Sequence, residues 1–152
     1  MNKFNTLLAT TLLISSLTIA NTANANDPVA KTGDSRQVIA LSEKERDLVL
    51  IEMRSFLESV QTIVVALSKD DLSTVAKAAK KVGLIEQEAI PAALKKKLPK
   101  EFKILGMKTH KAFDQMALDA KDIEDKQQAL EQLGALMKNC VSCHAIFKFK
   151  TN

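Results

Sequence analysis

Residues 125–147 read DKQQALEQLGALMKNCVSCHAIF and carry the clearest pattern in the chain. Asp125 is a residue type favoured at the start of a helix, and apolar side chains follow it at steps of three and four positions, as on one face of an α-helix. The predicted inner face consists of Leu130, Leu133, Met137, Cys140, His144 and Phe147. The segment therefore predicts a long last helix whose apolar face joins the core.

The end of this helix contains the pattern Cys-x-x-Cys-His. Cys140, Cys143 and His144 stand at positions i, i+3 and i+4, which share one side of a helix. This is the attachment pattern of a c-type haem, in which two thiols add to the haem vinyl groups and the imidazole binds the iron. The motif predicts one covalent haem c as the cofactor, and the haem rather than the side chains would then carry the chemistry.

Two other uses of the same residues stay open. In an oxidising compartment Cys140 and Cys143 could form a plain disulfide. A zinc site needs four suitable ligands, and the chain has only two Cys and two His, so His110 would have to complete the site in an awkward geometry. A thioredoxin-like redox pair would need a βαβ pattern, which the sequence lacks. Haem attachment is the favoured interpretation.

The first 25 residues are predicted to be a signal peptide. Lys3 supplies a positive charge, residues 7–20 are mainly apolar, and Ala23-Asn24-Ala25 is a small-x-small cleavage signal. The apolar stretch is shorter than the roughly 20 residues that a membrane-spanning helix needs. We expect cleavage near Ala25, a periplasmic location that suits haem attachment, and no membrane span in the mature chain.

The composition indicates an all-α protein. Tyr and Trp are absent, Gly and Pro number four and three, and the formal net charge is +4. Such a small surplus does not suggest nucleic-acid binding. Residues 26–41 are expected to be an extended leader that packs against nothing, and residues 42–152 are expected to form one domain.

Three further helices precede the last one. The first starts at the capping box of Ser42 and Glu45, the second runs from Leu72 to a C-terminal stop at Gly83, and the third begins near Pro99. Residues 84–98 are predicted to be a connection with one extra helical turn, and no useful strand pattern is present. We therefore expect an all-α fold, an antiparallel four-helix bundle with a covalently attached haem. Phe56, Phe113 and Phe147 are expected in its core.

In such a bundle the end of the last helix lies beside the first halves of the first and third helices. Two side chains at the corresponding depth could bind the iron on the side opposite His144, namely Met53 and His110. A Met on an apolar stripe is commonly just packing. His110 could instead hydrogen-bond Asp114, one turn later, or contact the haem edge.

At these residues the chain resembles the class II cytochromes c, which include cytochrome c′ and the low-spin cytochromes c-556. The resemblance rests on the signal peptide, the four helices and the Cys-x-x-Cys-His close to the C-terminus. It implies that His144 is the fifth iron ligand, that Lys148 lies near the haem propionates, and that Met53 matches the sixth ligand of low-spin members. Cytochrome c′ has an open position there. The Arg-Gln pair that often precedes this position in the family is absent here.

Three functions follow as hypotheses. The first is a periplasmic, non-enzymatic electron-transfer protein that cycles between Fe(II) and Fe(III). The second is a cytochrome c′-like protein that binds a small gas such as nitric oxide, and the third is a haem-free helical interaction domain with a Cys140–Cys143 disulfide. Redox partner proteins with acidic surfaces would suit the lysines near the haem, although these could equally serve solubility; the lysines are Lys95, Lys96, Lys97, Lys100, Lys103, Lys148 and Lys150. The protein is expected to be a monomer or a homodimer.

Overall fold

The computed structural model describes residues 33–84 and 90–151, so the predicted signal peptide, its cleavage site and the start of the leader lie outside the described residues. Most of the described chain is helical, which confirms the predicted all-α character, and a small two-stranded sheet is added to it. In chain order the elements are β1 (Gln37–Leu41), α1 (Glu43–Leu67), α2 (Leu72–Lys80), α3 (Ala92–Lys97), α4 (Lys100–Asp122), α5 (Lys126–Ile146) and β2 (Phe147–Thr151).

The start of α1 is the capping box that the sequence predicts. The Ser42 hydroxyl accepts a hydrogen bond from the Glu45 backbone N–H, and the Ser42 N–H donates to the Glu45 carboxylate at 2.9 Å. The same carboxylate pairs with the Lys97 ammonium at 2.7 Å. The hydrogen bonds from Lys97 and Ser42 lower the pKa of Glu45 from 4.5 to about 2. The cap therefore also ties the end of α3 to the start of α1.

Aspartates cap two further helices. The Asp71 side chain accepts from the Thr74 N–H at 2.9 Å, and the Asp125 side chain accepts from the Gln127 N–H at 2.8 Å. Each of these bonds satisfies a backbone N–H that has no partner within its helix. The predicted starts of α2 and α5 are confirmed.

Gly83 has a different role from the one predicted. The second helix already ends at Lys80, and the backbone of Gly83 is not in the left-handed region that a glycine stop uses. A Cβ at Gly83 would instead collide with the carboxylate of Asp114. That carboxylate accepts hydrogen bonds from the Leu84 N–H and the Lys80 ammonium, both at 2.9 Å. The close approach of Asp114 therefore accounts for the glycine.

The helices pack in a chain of neighbours around what we call the central core. α1 packs against α2, α2 against α4 and α4 against α5, while α5 and α1 touch over a small area only. Phe113 on α4 is fully buried and stacks on Phe56 of α1, with ring centroids 5.5 Å apart. The larger members of the central core are Ile63, Leu67, Val75, Phe113, Met116, Leu133 and Leu136.

A second cluster, the end core, surrounds the sheet. It consists of Ile39, Leu41, Val49, Leu94, Leu98 and Phe147. The strands β1 and β2 pair in parallel, with Gln37 opposite Phe147 and Leu41 opposite Thr151. The Phe102 ring at the start of α4 meets the edge of the Phe147 ring, with centroids 5.6 Å apart.

The sheet corrects two expectations. The leader was expected to remain unpacked up to residue 41, yet residues 37–41 form β1, and its Ile39 and Leu41 are buried. The absence of strands was also expected, and this was wrong. Each strand has five residues, and buried and exposed side chains alternate over only a few of them. The two strands also lie far apart in the sequence, one before and one after the helices. Such a pairing leaves almost no periodic signal within either segment.

Candidate functional site

The inner stripe of α5 is rotated by about one position from the predicted face. Its buried or half-buried apolar and cysteine residues, in order, are Ala129, Leu133, Leu136, Cys140 and Cys143, and buried Phe147 follows them. Three residues of the predicted face, Leu130, Met137 and His144, are exposed. The two stripes are neighbours on the helix and both are apolar, so their spacing does not distinguish between them. The motif thus has its two thiols on the inner side and its imidazole at the border of that side.

The two cysteines of the motif lie against different cores. Cys140 packs against the central core and Cys143 against the end core, and both thiols are free. Burial raises the pKa of each thiol above its ordinary value of 9.0. Both side chains are therefore neutral at pH 7, and they are weaker nucleophiles in the folded chain than in an unfolded one.

The His144 side chain is exposed and has no hydrogen-bond partner among residues 33–84 and 90–151. Its backbone carbonyl, by contrast, accepts a hydrogen bond from Arg36 Nη1 at 3.2 Å. The backbone of His144 is thus anchored while both ring nitrogens are available to a ligand. An imidazole nitrogen in this state is a good iron ligand.

Met53 lies at the same end of the molecule as the motif. Its side chain is half-buried and packs against the end core, as does that of Cys143. The two residues belong to different helices, α1 and α5, which touch only over a small area. The end core therefore brings the thioether of Met53 and one thiol of the motif to one apolar cluster.

Both α5 and α1 expose apolar side chains. On α5, Leu130, Met137 and Val141 are exposed, Val141 to 68%, and on α1, Leu57 is exposed to 68%. The opposite flank of α5 faces α4, because Gln132 hydrogen-bonds Asp119.

The opposite flank of α1 also faces α4, since Glu52 hydrogen-bonds His110. The exposed side chains of Leu57 on α1 and of Leu130 and Met137 on α5 therefore lie on the flanks turned away from these contacts with α4. We call this surface the α1–α5 face, made of Met53, Leu57 and Val64 with Leu130, Met137 and Val141. Exposed apolar side chains of this kind are candidates for cover by a ligand or partner.

His110 is buried, with 2% of its surface exposed, and both its ring nitrogens have partners. Nδ1 donates to the Val82 carbonyl at 2.9 Å and lies 3.1 Å from the Gly83 carbonyl, while Nε2 lies 3.1 Å from a Glu52 carboxylate oxygen. The predicted partner Asp114 binds Lys80 and Leu84 instead. The interpretation of His110 as a hydrogen-bonded core residue therefore fits, with a different set of partners.

The protonation of His110 is coupled to these contacts. Burial of the ring lowers the pKa of His110, but the hydrogen bond to Glu52, the Val82 carbonyl and the charge of Glu52 together raise it above 6.5. A group whose pKa is raised by folding stabilises the fold fully below its unfolded pKa. That stabilisation is lost as the pH rises through the folded pKa.

We expect the free energy of unfolding to fall as the pH rises through and above the ordinary titration range of His, because the pKa of His110 is raised by folding. Urea denaturation at several pH values measures this slope. Glu52→Gln should reduce the slope of stability against pH, because a neutral amide does not stabilise the protonated form of His110 as the Glu52 carboxylate does. An equal slope in the variant and the wild type would show that another group causes the dependence.

Lys148 and the other lysines named above lie close in sequence to residues of the end core or packed on it, namely Leu94, Leu98, Phe102, Phe147 and Phe149. Lys148 lies in β2 opposite Val38, between Phe147 and Phe149, which pack inward. The lysines of α3 and the start of α4 are joined to β2 through the contacts of Phe102 with both phenylalanines. Lys97 is engaged by Glu45.

Two residues that make contacts in this region were not predicted from the sequence. Arg36 binds carbonyls at the end of α5, and Glu52 binds His110. Nothing near Arg36 in the sequence marks it, since its acceptors are more than 100 positions away. Glu52 lies on the core side of α1 next to Met53, and a charged residue on an apolar stripe is a signal that could have indicated a buried partner.

Comparisons with known proteins found no relative: no family model matches the chain, and neither a curated protein nor a solved structure does. Within the described ranges, no helix is both long and apolar enough to cross a membrane. The described residues also contain no group of three or more His, Cys, Asp and Glu side chains that could hold a metal ion. A haem iron makes a smaller demand on the chain, because the macrocycle supplies four ligands and the protein only the axial ones.

Proposed function

We propose that residues 42–152 form an antiparallel four-helix-bundle cytochrome of the class II type, with one haem c attached to Cys140 and Cys143 and with His144 as an axial ligand. The packing of α1, α2, α4 and α5 as successive neighbours supports the bundle. The observation that carries the proposal is the arrangement of the motif itself. Two half-buried thiols and a partnerless imidazole lie side by side next to an exposed apolar face.

The residues present fit a haem in three respects. The thiols are free, the imidazole has no competing partner among the described residues, and the apolar side chains beside them are exposed. A haem held at the motif would cover part of the α1–α5 face, and burial of apolar surface stabilises a complex by roughly 25 cal/mol per Å². The chemistry of these side chains therefore suits a haem, in addition to the spacing of the motif.

The haem would supply one-electron chemistry, Fe(II) to Fe(III) and back, and the chain would hold the iron and tune its potential. His144 and Met53 are ligands that remain bound in both oxidation states, and Met/His ligation favours a high potential. Apolar surroundings disfavour the more highly charged oxidised centre. Lys148 would lie near the propionates, as the resemblance implies. The protein would convert no substrate and would act in the periplasm as an electron carrier.

Met53 is favoured over His110 as the sixth ligand by the contacts of His110. Ligation by His110 would break its bonds to the Glu52 carboxylate and to the Val82 and Gly83 carbonyls, leaving buried polar groups without partners. Met53 has no such bonds to lose, and it packs against the same cluster as Cys143.

The test is the absorption spectrum of the protein purified from a host with haem-attachment machinery. We expect a red protein with a low-spin spectrum, a Met–iron charge-transfer band when oxidised, and haem that survives acid–acetone extraction. Rapid carbon monoxide binding to a high-spin reduced protein would instead support the cytochrome c′-like function. A colourless, correctly exported product would contradict both haem functions and leave the helical domain with its disulfide.

A further inference from the structure

The helices that carry His144 and Met53 are joined through α2 and α4 and, at their ends near the motif, through the sheet. Direct contact between α1 and α5 is small, because α1 packs chiefly on α2 and α5 chiefly on α4. β1 is separated from α1 by Ser42 alone, and β2 follows α5 with no residue between them. The parallel pairing of β1 with β2 therefore connects the start of α1 directly to the end of α5.

Arg36, immediately before β1, strengthens this connection at the motif. Its Nη1 donates to the His144 carbonyl at 3.2 Å and lies 3.4 Å from the Phe147 carbonyl. The last carbonyls of a helix lack partners within the helix, and a cation there also interacts favourably with the helix dipole. Arg36 thus holds the C-terminal turn of α5 by the backbone of His144 itself.

The inner side of the sheet is packed against the same region. Ile39 and Leu41 of β1 are buried in the end core together with Phe147 of β2. Met53 and Cys143 pack on that core from α1 and α5. The end core therefore packs against both strands and also against Met53 of α1 and Cys143 of α5.

We propose that Arg36 and the β1–β2 pair form a clamp that sets the separation between His144 and Met53, with Arg36 as a positioning residue. This inference rests on the proposed function. A Met thioether is a weak axial ligand, whereas the two thioether bonds are covalent. Loosening the clamp should therefore release Met53 from the iron while the haem stays attached.

The experiment compares Arg36→Ala with Arg36→Lys, with Ile39→Ala, and with Lys138→Ala as a control that removes one exposed charge from α5. Met53→Ala defines the spectrum of complete Met loss. In Arg36→Ala we expect the fraction of iron without Met to rise roughly two- to fivefold, the effect of one exposed cation at a helix C-terminus. Carbon monoxide should bind the reduced protein faster by the same factor.

Ile39→Ala should shift the spectrum in the same direction, Arg36→Lys should restore most of the band, and Lys138→Ala should leave it unchanged. Covalent haem content should be equal in all variants. Wild-type band intensity and carbon monoxide binding in both Arg36→Ala and Ile39→Ala would overturn the clamp alone. A colourless wild type would overturn the proposed function and the clamp with it, and a red wild type whose band survives Met53→Ala would overturn the role of Met53 and hence the clamp.

Discussion

A chain in which Cys140 and Cys143 are both replaced by Ser should be exported without covalently bound haem. Each thiol can form one thioether bond to a vinyl group, and a serine hydroxyl does not form that bond. The haem absorption that resists acid–acetone extraction should therefore be lost completely from the double variant. The single variants Cys140→Ser and Cys143→Ser each keep one attachment point and should retain a reduced amount of covalent haem.

The control for this experiment is Ser142→Ala, which changes an exposed residue between the two cysteines. It should be as red as the wild type. The double variant should keep its helices in circular dichroism, because both thiols are only half-buried and serine is of similar size. It should nevertheless be less stable, since a bound ligand that prefers the native state stabilises it. Acid-resistant haem in the double variant would show that the attachment is elsewhere.

The parts of the fold that were predictable are those encoded within one helix. Ser42 and Glu45 cap α1, and Asp71 and Asp125 cap α2 and α5, through hydrogen bonds that reach only two or three positions along the chain. Such bonds depend on local residue types and need no knowledge of the rest of the molecule. The extra turn before Pro99 was also predictable locally, because Pro91 and Pro99 bound the segment, although no side chain caps it.

The parts that were not predictable depend on distant partners. β1 forms because it pairs with β2 and buries Ile39 and Leu41. The residue types at 37–41 give no indication of a partner strand that follows more than 100 positions later in the sequence. The rotation of α5 has a related cause. Leu130 and Met137 are as apolar as Ala129 and Leu136, so only packing against α4 decides which of them face inward.

The candidate site likewise contains residues that local sequence predicts and residues that depend on distant partners. Spacing alone assigned Cys140, Cys143 and His144 to one motif, and depth along the helices selected Met53. The bonds that hold His110 and the carbonyl of His144 could not be predicted, because Glu52 and Arg36 reach them from other elements. A functional residue defined by its own chemistry can be found in a sequence, whereas one defined by its contacts needs the fold.

Phe113→Ala should lower the free energy of unfolding by about 3–5 kcal/mol, the range measured for Phe-to-Ala changes in packed cores. Phe113 has no exposed surface, it stacks on Phe56 of α1, and it belongs to the cluster that α2 and α5 complete. The loss combines the transfer free energy of the ring with the cost of a cavity that rigid helices cannot close. Urea denaturation of the haem-loaded protein, followed by circular dichroism, measures it.

Leu118→Ala is the matched control, because it shortens a side chain of the same helix that is 55% exposed. Its effect should stay within about 0.5 kcal/mol, as for most surface substitutions. A domain of this size has a total stability of roughly 5–15 kcal/mol, so the Phe113 variant should lose a large fraction of its stability while the Leu118 variant is almost unaffected. Equal losses in the two variants would mean that Phe113 does not join α1 to α4.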